Sequence, residues 1–374
     1  MKVLGIMSGT SIDGVDYALC QIDKRRCELE ELWSVKFPRA LQQRLHAAAS
    51  GAASGWEVGQ LHHDLGRFYA AGAARGARAQ LIGLHGQTIF HNPDRRAPAT
   101  LQIGEPAWLA QALRVPVVSN LRAADLAAGG QGAPLATAFH VRVFGQRGRH
   151  VCVNNLGGIS NVTSIDWRRG VGPKVLAFDT GPANVLMDLA VRYFSGGKQH
   201  FDRNGASAAR GQVCDSLVAG WLKHPYFAAP PPKSTGRELF GEPFFAVALA
   251  ESKRARLSKF DLLATLTAFT ARSIALNYQK HLPSAPDAVI LAGGGGENPM
   301  LRTRLAEALL QAGVETTVLQ SSHLGWPSES IEPAAFALLA WLRWNAQPGN
   351  LPATTGARRA VLCGQVTEPY SQLP

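Results

Sequence analysis

The chain has 374 residues, of which 46% are apolar and 17% charged, so it is long and apolar enough to fold as two compact domains. Lysine and arginine number 38 against 27 acidic residues, a formal net charge of +11, but they are scattered and form no basic block interleaved with aromatics, which disfavours nucleic-acid binding. The five cysteines lie far apart, which predicts a cytoplasmic protein without a disulfide framework or zinc knuckle. The apolar stretches are shorter than the ~20 residues that span a bilayer, so no membrane partner is expected.

The first part of the chain is predicted to begin with three strands and to continue as alternating helices and strands. The predicted strands are 2–7, 15–22, 29–37, 80–86, 100–104 and 115–120. The predicted helices are 39–49, 56–76 and about 105–114. A glycine-rich loop, LAAGGQGAPL (126–135), follows the last of these strands.

A similar arrangement then begins again, with a strand, a glycine turn and a strand over 149–166, and a third strand leading to a turn over 175–184. Long helices are predicted near 203–222 and 258–282, strands at 287–292 and 316–320, and a last helix at 333–344, before a covering tail rich in proline and glycine. The repetition predicts a duplicated two-lobe α/β fold, with lobes 1–140 and 141–374 and a central cleft for ligands.

The first turn, SGTSIDG (8–14), concentrates glycines, hydroxyls and acids between two strands. Gly9 and Gly14 permit close backbone approach, and exposed amides and hydroxyls make a concavity that suits an anion. Asp13 and Asp16 would repel a bare phosphate, so they suggest an accompanying divalent cation. The segment is not a Walker loop, because no GKS or GKT is present. A hairpin turn held by its own Ser and Asx hydrogen bonds is the alternative.

Two later turns repeat the glycine pattern without the acids. NLGGISN (155–161) carries Gly157 and Gly158 between two strands, and AGGGGENP (292–299) carries Gly293, Gly294 and Gly295 between a strand and a helix start. Each alone is weak evidence for a nucleotide site. Together with the first turn, they favour binding of a polyphosphate and its nucleotide, because helix starts and glycine turns present unpaired amides.

Asp179, in FDTGPAN (178–184), is predicted to follow a buried strand and to precede a turn. An acid at that end of a strand in an open α/β sheet points toward the ligand crevice. The position suits a general base or a magnesium-water ligand. A structural helix cap is the alternative, although Thr180 or Asn184 could cap equally well.

Polar residues also cluster at the predicted strand ends of the first lobe, and they favour a sugar or a carboxylate ligand. The candidates are His85, Gln87, Thr88, Glu105, Arg122 and Asp125, with Gln131 in the glycine-rich loop. Each alone is more often a structural residue. His85 and His91 lack a third residue at zinc-binding spacing.

The motifs together resemble the anhydro-N-acetylmuramic acid kinases, from the first strand to the tail. They are MSGTSIDGVD (7–16), GQT (86–88), LQIGEP (101–106), AAGGQGAPL (127–135), NLGGISN (155–161), FDTGP (178–182), PPPKSTGRELF (230–240) and PGNLPATTGA (348–357). That family belongs to the superfamily of sugar kinases, heat-shock ATPases and actin, so the resemblance implies a duplicated actin-like ATPase fold.

The resemblance also implies a reaction. ATP, with Mg2+, would phosphorylate O6 of 1,6-anhydro-N-acetylmuramic acid while water opens the anhydro bridge, giving N-acetylmuramic acid 6-phosphate in cell-wall recycling. The ATP-binding segment of the family matches Gly9, Thr10, Ser11, Ile12, Asp13, Gly14, Val15 and Asp16. Its catalytic base matches Asp179, and a glutamate near the sugar matches Glu332, although Pro333 follows it here. The family also implies a homodimer.

Three departures from the family pattern are visible. Asn120-Leu121-Arg122 replaces Asp-Phe-Arg, which keeps Arg122 for the substrate carboxylate and loses the acid. Ala183 replaces a glycine, which a negative φ would tolerate. The four-glycine turn is one residue longer than usual. The sequence leaves two other functions open, an ordinary sugar kinase acting on a free hydroxyl and an actin-like or chaperone-like ATPase.

Overall fold

The computed structural model describes residues 1–94 and 96–370, so the last residues of the predicted tail, 371–374, lie outside the described part. Its strands are β1 (Lys2–Ser8), β2 (Gly14–Ile22), β3 (Cys27–Lys36), β4 (Leu81–Asn92), β5 (Ala99–Ile103), β6 (Val117–Ser119), β7 (His150–Leu156), β8 (Ile159–Asp166), β9 (Lys174–Pro182), β10 (Ala288–Ala292), β11 (Thr317–Gln320) and β12 (Gln365–Thr367).

The α-helices range from 4 to 23 residues in length. They are α1 (Arg39–Ala49), α2 (Gly55–Ala73), α3 (Pro106–Leu113), α4 (Ala123–Ala127), α5 (Thr137–Phe144), α6 (Val185–Ser195), α7 (Asp215–Trp221), α8 (Arg237–Phe240), α9 (Glu242–Arg254), α10 (Lys259–His281), α11 (Pro299–Gln311), α12 (Ile331–Trp344) and α13 (Pro352–Thr355).

The chain divides into two compact units. Unit 1 is Met1–Val143 with Glu329–Pro374, and unit 2 is Phe144–Ser328. The predicted division at residue 140 lies near the first boundary. The predicted assignment of the C-terminal segment to the second lobe differs from the structure, because α12 packs on β1 and β4 of unit 1 and β12 pairs with β6.

Both units contain the same sheet topology. In unit 1 the strand order is β12-β6-β4-β1-β2-β3, with β5 paired to β4, and in unit 2 it is β11-β10-β7-β8-β9. Each sheet starts as an antiparallel meander, β1-β2-β3 or β7-β8-β9, and continues with parallel strands. This repetition confirms the duplicated two-lobe α/β fold predicted from the sequence.

Helix α12 contacts the sheet of unit 1 without intervening side chains. A Cβ atom placed on Gly5 would lie 1.8 Å from the carbonyl oxygen of Pro333, and one on Gly83 would lie 2.1 Å from that of Phe336. Both distances are below any real contact, so only glycine allows this approach. The apolar stretch 333–342 of the sequence therefore completes the core of unit 1.

The largest difference from the predicted helices falls in 203–222. The structure has only short 3-10 turns at Arg203–Gly205 and Ala208–Arg210 before α7. Asn204 and Gly205 have φ values of +56° and +67°, and the Asp202 carboxylate accepts hydrogen bonds from the amides of Ser207 and Ala208. These left-handed residues and side-chain bonds interrupt the helical path that the apolar spacing predicted.

Candidate functional site

Each unit carries a group of the predicted site residues, and the first group surrounds the turn between β1 and β2. Ser8 is buried, and its hydroxyl bonds with the Tyr69 hydroxyl at 2.9 Å and donates to the Gly86 carbonyl at 3.1 Å. Its hydroxyl is thus committed inside the protein. The side chains of Thr10, Ser11 and Asp13 are exposed and remain available to a ligand.

The path of this turn is fixed by backbone contacts. Ile12 has a φ of +58°, its amide donates to the Gly9 carbonyl at 3.1 Å, and its side chain is buried. Val15 is also buried, so Ile12 and Val15 can offer a ligand only their backbone. A left-handed φ costs a branched residue about 1 kcal/mol or more, and this cost is expected only where the fold or function requires the turn.

Gln87 ties the turn to strand β4. It is fully buried, and its Nε2 donates to the Gly9 carbonyl at 3.1 Å, while its Oε1 has no partner among the described residues. Its neighbour Thr88 accepts a hydrogen bond from Gln102 Nε2 at 3.3 Å. Gln87 therefore holds the turn between β1 and β2 in place from strand β4.

Carboxyl groups crowd together at the end of this turn. Burial raises the pKa of Asp16, a hydrogen bond from the Ser34 hydroxyl opposes the shift, and the charge of Glu329 adds to it. The Glu332 side chain is exposed, yet the protein atoms around its carboxyl raise its pKa, an effect that the charge of Arg122 opposes and that of Asp16 increases. Such mutual repulsion would be relieved by a cation.

Arg122 is held beside His85 and keeps its charge. Its Nε and Nη2 donate to His85 Nε2 at 3.1 and 2.9 Å, and its Nη1 donates to the Gly132 carbonyl at 2.7 Å. Burial and the arginine charge lower the pKa of His85 well below its usual value, so the ring is neutral and accepts at Nε2. Burial lowers the pKa of Arg122 to about 10, which leaves it protonated at neutral pH. A poorly hydrated guanidinium of this kind attracts a carboxylate.

Asp125 lies inside unit 1. It is fully buried, its Oδ1 accepts from Asn350 Nδ2 at 2.6 Å and from the Thr355 hydroxyl at 2.7 Å, and its Oδ2 accepts from the Gly132 amide at 2.7 Å. These bonds join the glycine-rich loop to the tail. Gln131 in that loop has an exposed side chain and bonds through its amide to the Thr355 carbonyl.

Glu105 is the N-cap of α3, as its predicted position at a helix start requires. Its Oε1 accepts from the Ala107 amide at 2.9 Å, and its Oε2 lies 3.1 Å from His62 Nε2. The carboxylate therefore has structural partners on both oxygens.

The second group centres on Asp179 in unit 2. Asp179 lies within β9, before Thr180, Gly181 and Pro182, so the prediction that it follows the strand is wrong by a few residues. Thr180 is the extra residue of a β-bulge, because Asn161 pairs with Asp179 and Ser160 with Gly181. Bulges re-aim side chains within a ladder, and this one lies directly beside the acid.

Three bonds hold Asp179 in place. Its Oδ2 accepts from the Thr235 amide at 2.9 Å, its own amide donates to the Lys233 carbonyl at 3.1 Å, and its carbonyl accepts from the Tyr226 hydroxyl at 2.6 Å. Burial raises the pKa of Asp179 to about 6, the Thr235 bond lowers it, and the charge of Glu238 raises it further. Asp179 is therefore ionised at neutral pH and is a stronger base than an ordinary aspartate.

The two glycine turns of unit 2 pack against each other. The Gly157 carbonyl accepts from the Asn184 amide at 3.0 Å, and the Gly158 carbonyl accepts from the Ala183 amide at 3.0 Å, so the turn is joined to the start of α6. A Cβ on Gly295 would lie 2.8 Å from Leu156 Cβ. Ala183 does not have a left-handed φ, so the alanine is tolerated there, as predicted.

At four positions in the three glycine turns, neither packing nor backbone conformation requires glycine. A Cβ on Gly9, Gly157 or Gly158 would meet no atom closer than 3.7 Å, one on Gly294 would meet none within 4 Å, and none of the four has a left-handed φ. Close approach of a ligand to the backbone would require glycine at such positions. Gly14 and Gly293 are different, because a Cβ there would lie 2.6 and 2.4 Å from neighbouring protein atoms.

Sequence reasoning missed Lys233, Thr235 and Arg237 as individual residues, although their motif PPPKSTGRELF had been noted. Thr235 acts through its backbone amide, and the residue type does not predict such a contact. Among residues 1–94 and 96–370, no group of three or more His, Cys, Asp or Glu side chains is placed to hold a metal ion. No helix in the same residues is long and apolar enough to cross a membrane.

Comparison with known proteins gives consistent results. A family model described as anhydro-N-acetylmuramic acid kinase matches residues 1–369. Proteins of that name from Acaryochloris marina and Gloeobacter violaceus are 42% and 43% identical, with 98% and 97% of this chain and 99% and 97% of theirs covered.

The solved structures that this chain matches are much more distant in sequence. A ROK family glucokinase from Streptomyces griseus, in complex with glucose and AMPPNP, has a TM-score of 0.43 and 14% identity over 91% of this chain and 99% of its own. The activator of the 2-hydroxyisocaproyl-CoA dehydratase from Clostridium difficile, with bound ADPNP, has a TM-score of 0.47 and 10% identity over 92% of this chain and 96% of its own.

Proposed function

Because this chain belongs to the anhydro-N-acetylmuramic acid kinase family and is therefore a kinase, we propose that it uses ATP to convert 1,6-anhydro-N-acetylmuramic acid into N-acetylmuramic acid 6-phosphate and ADP. The reaction would serve peptidoglycan recycling in the cytoplasm. The observation that carries the chemical part of the proposal is Asp179, a half-buried carboxylate with a raised pKa whose orientation is fixed by the Thr235 amide.

The proposed step needs one base. Water attacks C1 of the sugar and gives its proton to Asp179, the bond between C1 and the bridge oxygen breaks, and that oxygen remains on C6. The same oxygen attacks the γ-phosphorus of ATP, and the bond to the β-phosphate oxygen breaks to release ADP. The bridge oxygen is thus both the leaving group from C1 and the nucleophile, so no second base is needed to generate the alkoxide.

The three glycine turns share one proposed role, which is binding of the nucleotide. We propose that ATP contacts the backbone of Gly9–Asp16 and of the turns at Gly157 and Gly158 and at Gly293–Gly295. The four open glycines support this, since bound phosphates could approach the backbone there. The exposed Thr10, Ser11 and Asp13 supply side chains to the same ligand.

The acidic groups of unit 1 are suited to magnesium. Mg2+ in kinases is held by one or two carboxylates together with phosphates and waters, so a dense acidic cluster is not required. The exposed Asp13 and the crowded Asp16 fit this description, and burial together with the nearby charge of Glu329 raises the pKa of Asp16, so a cation beside its carboxylate would be favourable. Bound there, Mg2+ would neutralise charge on the phosphates.

For the sugar, we propose Arg122 as the ligand of the carboxylate and His85 as the group that orients it. Glu332 lies in the field of Arg122 and supplies an acceptor for the sugar. Of the other predicted residues, Gln87, Glu105 and Asp125 already have internal partners, so their proposed contribution is to shape the loops. Thr88 and the exposed Gln131 remain proposed direct contacts.

The pH dependence of turnover tests the base. Asp179 must be ionised to accept a proton, so kcat/KM is expected to rise with pH through an apparent pKa of about 6 and to level off above it. A pH series of initial rates between pH 4.5 and 8, about two units around the midpoint, measures this. An acidic limb near the ordinary value of an aspartate would contradict the assigned environment.

The glycine turns can be tested by opposed effects on stability and affinity. Gly158→Ala creates no clash and removes freedom from the unfolded chain, so the melting temperature is expected to stay equal or to rise slightly. The added methyl group would keep the phosphates off the backbone, so ATP affinity should fall about tenfold, or about 1.4 kcal/mol.

The control is Gly220→Ala, which is equally open. ATP affinity is measured for both variants by calorimetric titration, and Gly220→Ala should leave it unchanged. A Gly158→Ala protein that binds ATP as the wild type does would remove this turn from the proposed nucleotide site.

The activity itself is tested by a coupled ADP-release assay. ADP should appear with the anhydro sugar and not with free N-acetylmuramic acid, N-acetylglucosamine or glucose. Preference for a free sugar would indicate an ordinary sugar kinase, and ADP release without sugar would indicate an actin-like ATPase. The family's homodimer remains a prediction that analytical ultracentrifugation can test.

A further inference from the structure

The segment that follows the short turn at Pro225–Phe227 crosses β9 beside Asp179. We call residues 233–237 the strap. The Lys233 carbonyl and the Thr235 amide bond to the backbone and side chain of Asp179, as described above. Lys233 Nζ in turn donates to the Tyr226 carbonyl at 3.2 Å and lies 3.3 Å from His281 Nε2, so the start of the strap is fixed to unit 2.

Arg237 lies at the other end of the strap, over the glycine turn between β7 and β8. A Cβ placed on Gly158 would lie 3.8 Å from Arg237 Nη2 and 4.0 Å from its Nε. The side chain is exposed. Within residues 1–94 and 96–370, its guanidinium forms no hydrogen bond and has no carboxylate within 4.0 Å.

The electrostatic surroundings favour this placement. Asp188, on the first turns of α6, is half-buried, and its charge interacts with those of Arg192 and Arg237. Asp188 therefore attracts the guanidinium toward the turn without pairing with it. An arginine held near an open glycine turn, with its five donors unused, is suited to an anion with several oxygens.

We propose that Arg237 binds the terminal phosphates of ATP at the Gly157–Gly158 turn. This inference rests on the proposed function, because it assumes that ATP is the phosphate donor. A guanidinium can donate two parallel hydrogen bonds to phosphate oxygens, and it stabilises the charge that develops on the transferred group.

One consequence is that a single short segment serves both reacting partners. Thr235 orients the base, and Arg237, two residues later, would hold the phosphates. Loss of Arg237 should therefore reduce nucleotide affinity and also lower kcat, whereas the pKa seen in the acidic limb of the pH profile, which belongs to Asp179, should not move.

The test is calorimetric binding of AMP, ADP and ATP, each with Mg2+ and without sugar, to the full chain and to Arg237→Ala. ATP affinity is expected to fall 10- to 100-fold and AMP affinity by less than twofold, since AMP lacks the terminal phosphates. Arg237→Lys keeps the charge without the fork and should give an intermediate loss. Arg254→Ala, an exposed arginine of the same unit on α9, should bind all three nucleotides as the wild type does.

The outcomes separate this inference from the proposed function. Unchanged ATP affinity, or an equal loss for AMP and ATP, overturns the role of Arg237, and so does a wild-type chain that does not bind ATP. If the wild type binds ATP with the expected pattern of variants but gives no ADP with the anhydro sugar, only the proposed sugar chemistry fails. If Arg237→Ala does not fold, Arg237→Lys and Arg237→Gln provide the same comparison.

Discussion

Asp179→Asn is expected to lower kcat by ~10²–10⁴, about 3–5 kcal/mol of activation free energy, which is the usual contribution of a positioned general base. The amide has the shape of the carboxylate, and its oxygen can still accept from the Thr235 amide. It cannot take a proton from water at neutral pH. Single-turnover rates with saturating ATP and anhydro sugar would measure the loss.

The stability of the same variant should not fall. Because the pKa of Asp179 is raised in the folded protein, its ionisation disfavours folding at every pH above the unfolded value and increasingly so up to about 6. Removing the charge should leave the melting temperature at pH 7 equal or higher.

Asp215→Asn, an exposed acid of the same unit, is the matched control and should have wild-type kcat. Near wild-type turnover in Asp179→Asn would show that another group accepts the proton.

Gly83→Ala is expected to cause a large loss of stability in unit 1. The new Cβ would lie 2.1 Å from the Phe336 carbonyl oxygen and 2.9 Å from Ala340 Cβ, so α12 or β4 must shift. Such overpacking against backbone should lower the free energy of unfolding by about 3 kcal/mol or more. Urea denaturation followed by tryptophan fluorescence would measure it.

Gly59→Ala in α2 is the control, because a Cβ there meets no atom within 4 Å. It should be neutral or slightly stabilising, since alanine has the higher helix propensity. Equal stability of the Gly83→Ala and Gly59→Ala proteins would contradict the direct contact of α12 with the sheet. Since α12 also carries Glu332, sugar binding should weaken together with the packing.

The repeated meander was predictable because its strands are apolar runs bounded by glycine turns. The assignment of 331–344 to unit 1 was not predictable, because the apolar composition of a helix indicates that it is buried but not which sheet it packs against. The deciding residues are Gly5 and Gly83, which lie in sequence far from the helix that they admit. The interrupted helix near 203 depends on left-handed backbone at Asn204, which periodicity does not report.

The site was predicted in part for similar reasons. Acid and glycine motifs pointed to Asp179 and the three turns as candidates, since residue type there reflects chemistry. The same reasoning could not separate Arg122, which keeps its charge and spare donors, from Asp125, whose oxygens are occupied inside the fold. The contact of the strap with Asp179 was not predicted, because it is made mainly by the backbone amide of Thr235.

The central claim is that water opens the anhydro bridge while the freed bridge oxygen receives the phosphate, and one isotope experiment tests it directly. The reaction is run in ¹⁸O-enriched water with ATP and 1,6-anhydro-N-acetylmuramic acid, and the product is examined promptly by mass spectrometry and ³¹P NMR. The account predicts ¹⁸O at C1 and none in the phosphate attached to O6. Label in the transferred phosphate, or a phosphorylated product that still contains the anhydro bridge, would contradict it.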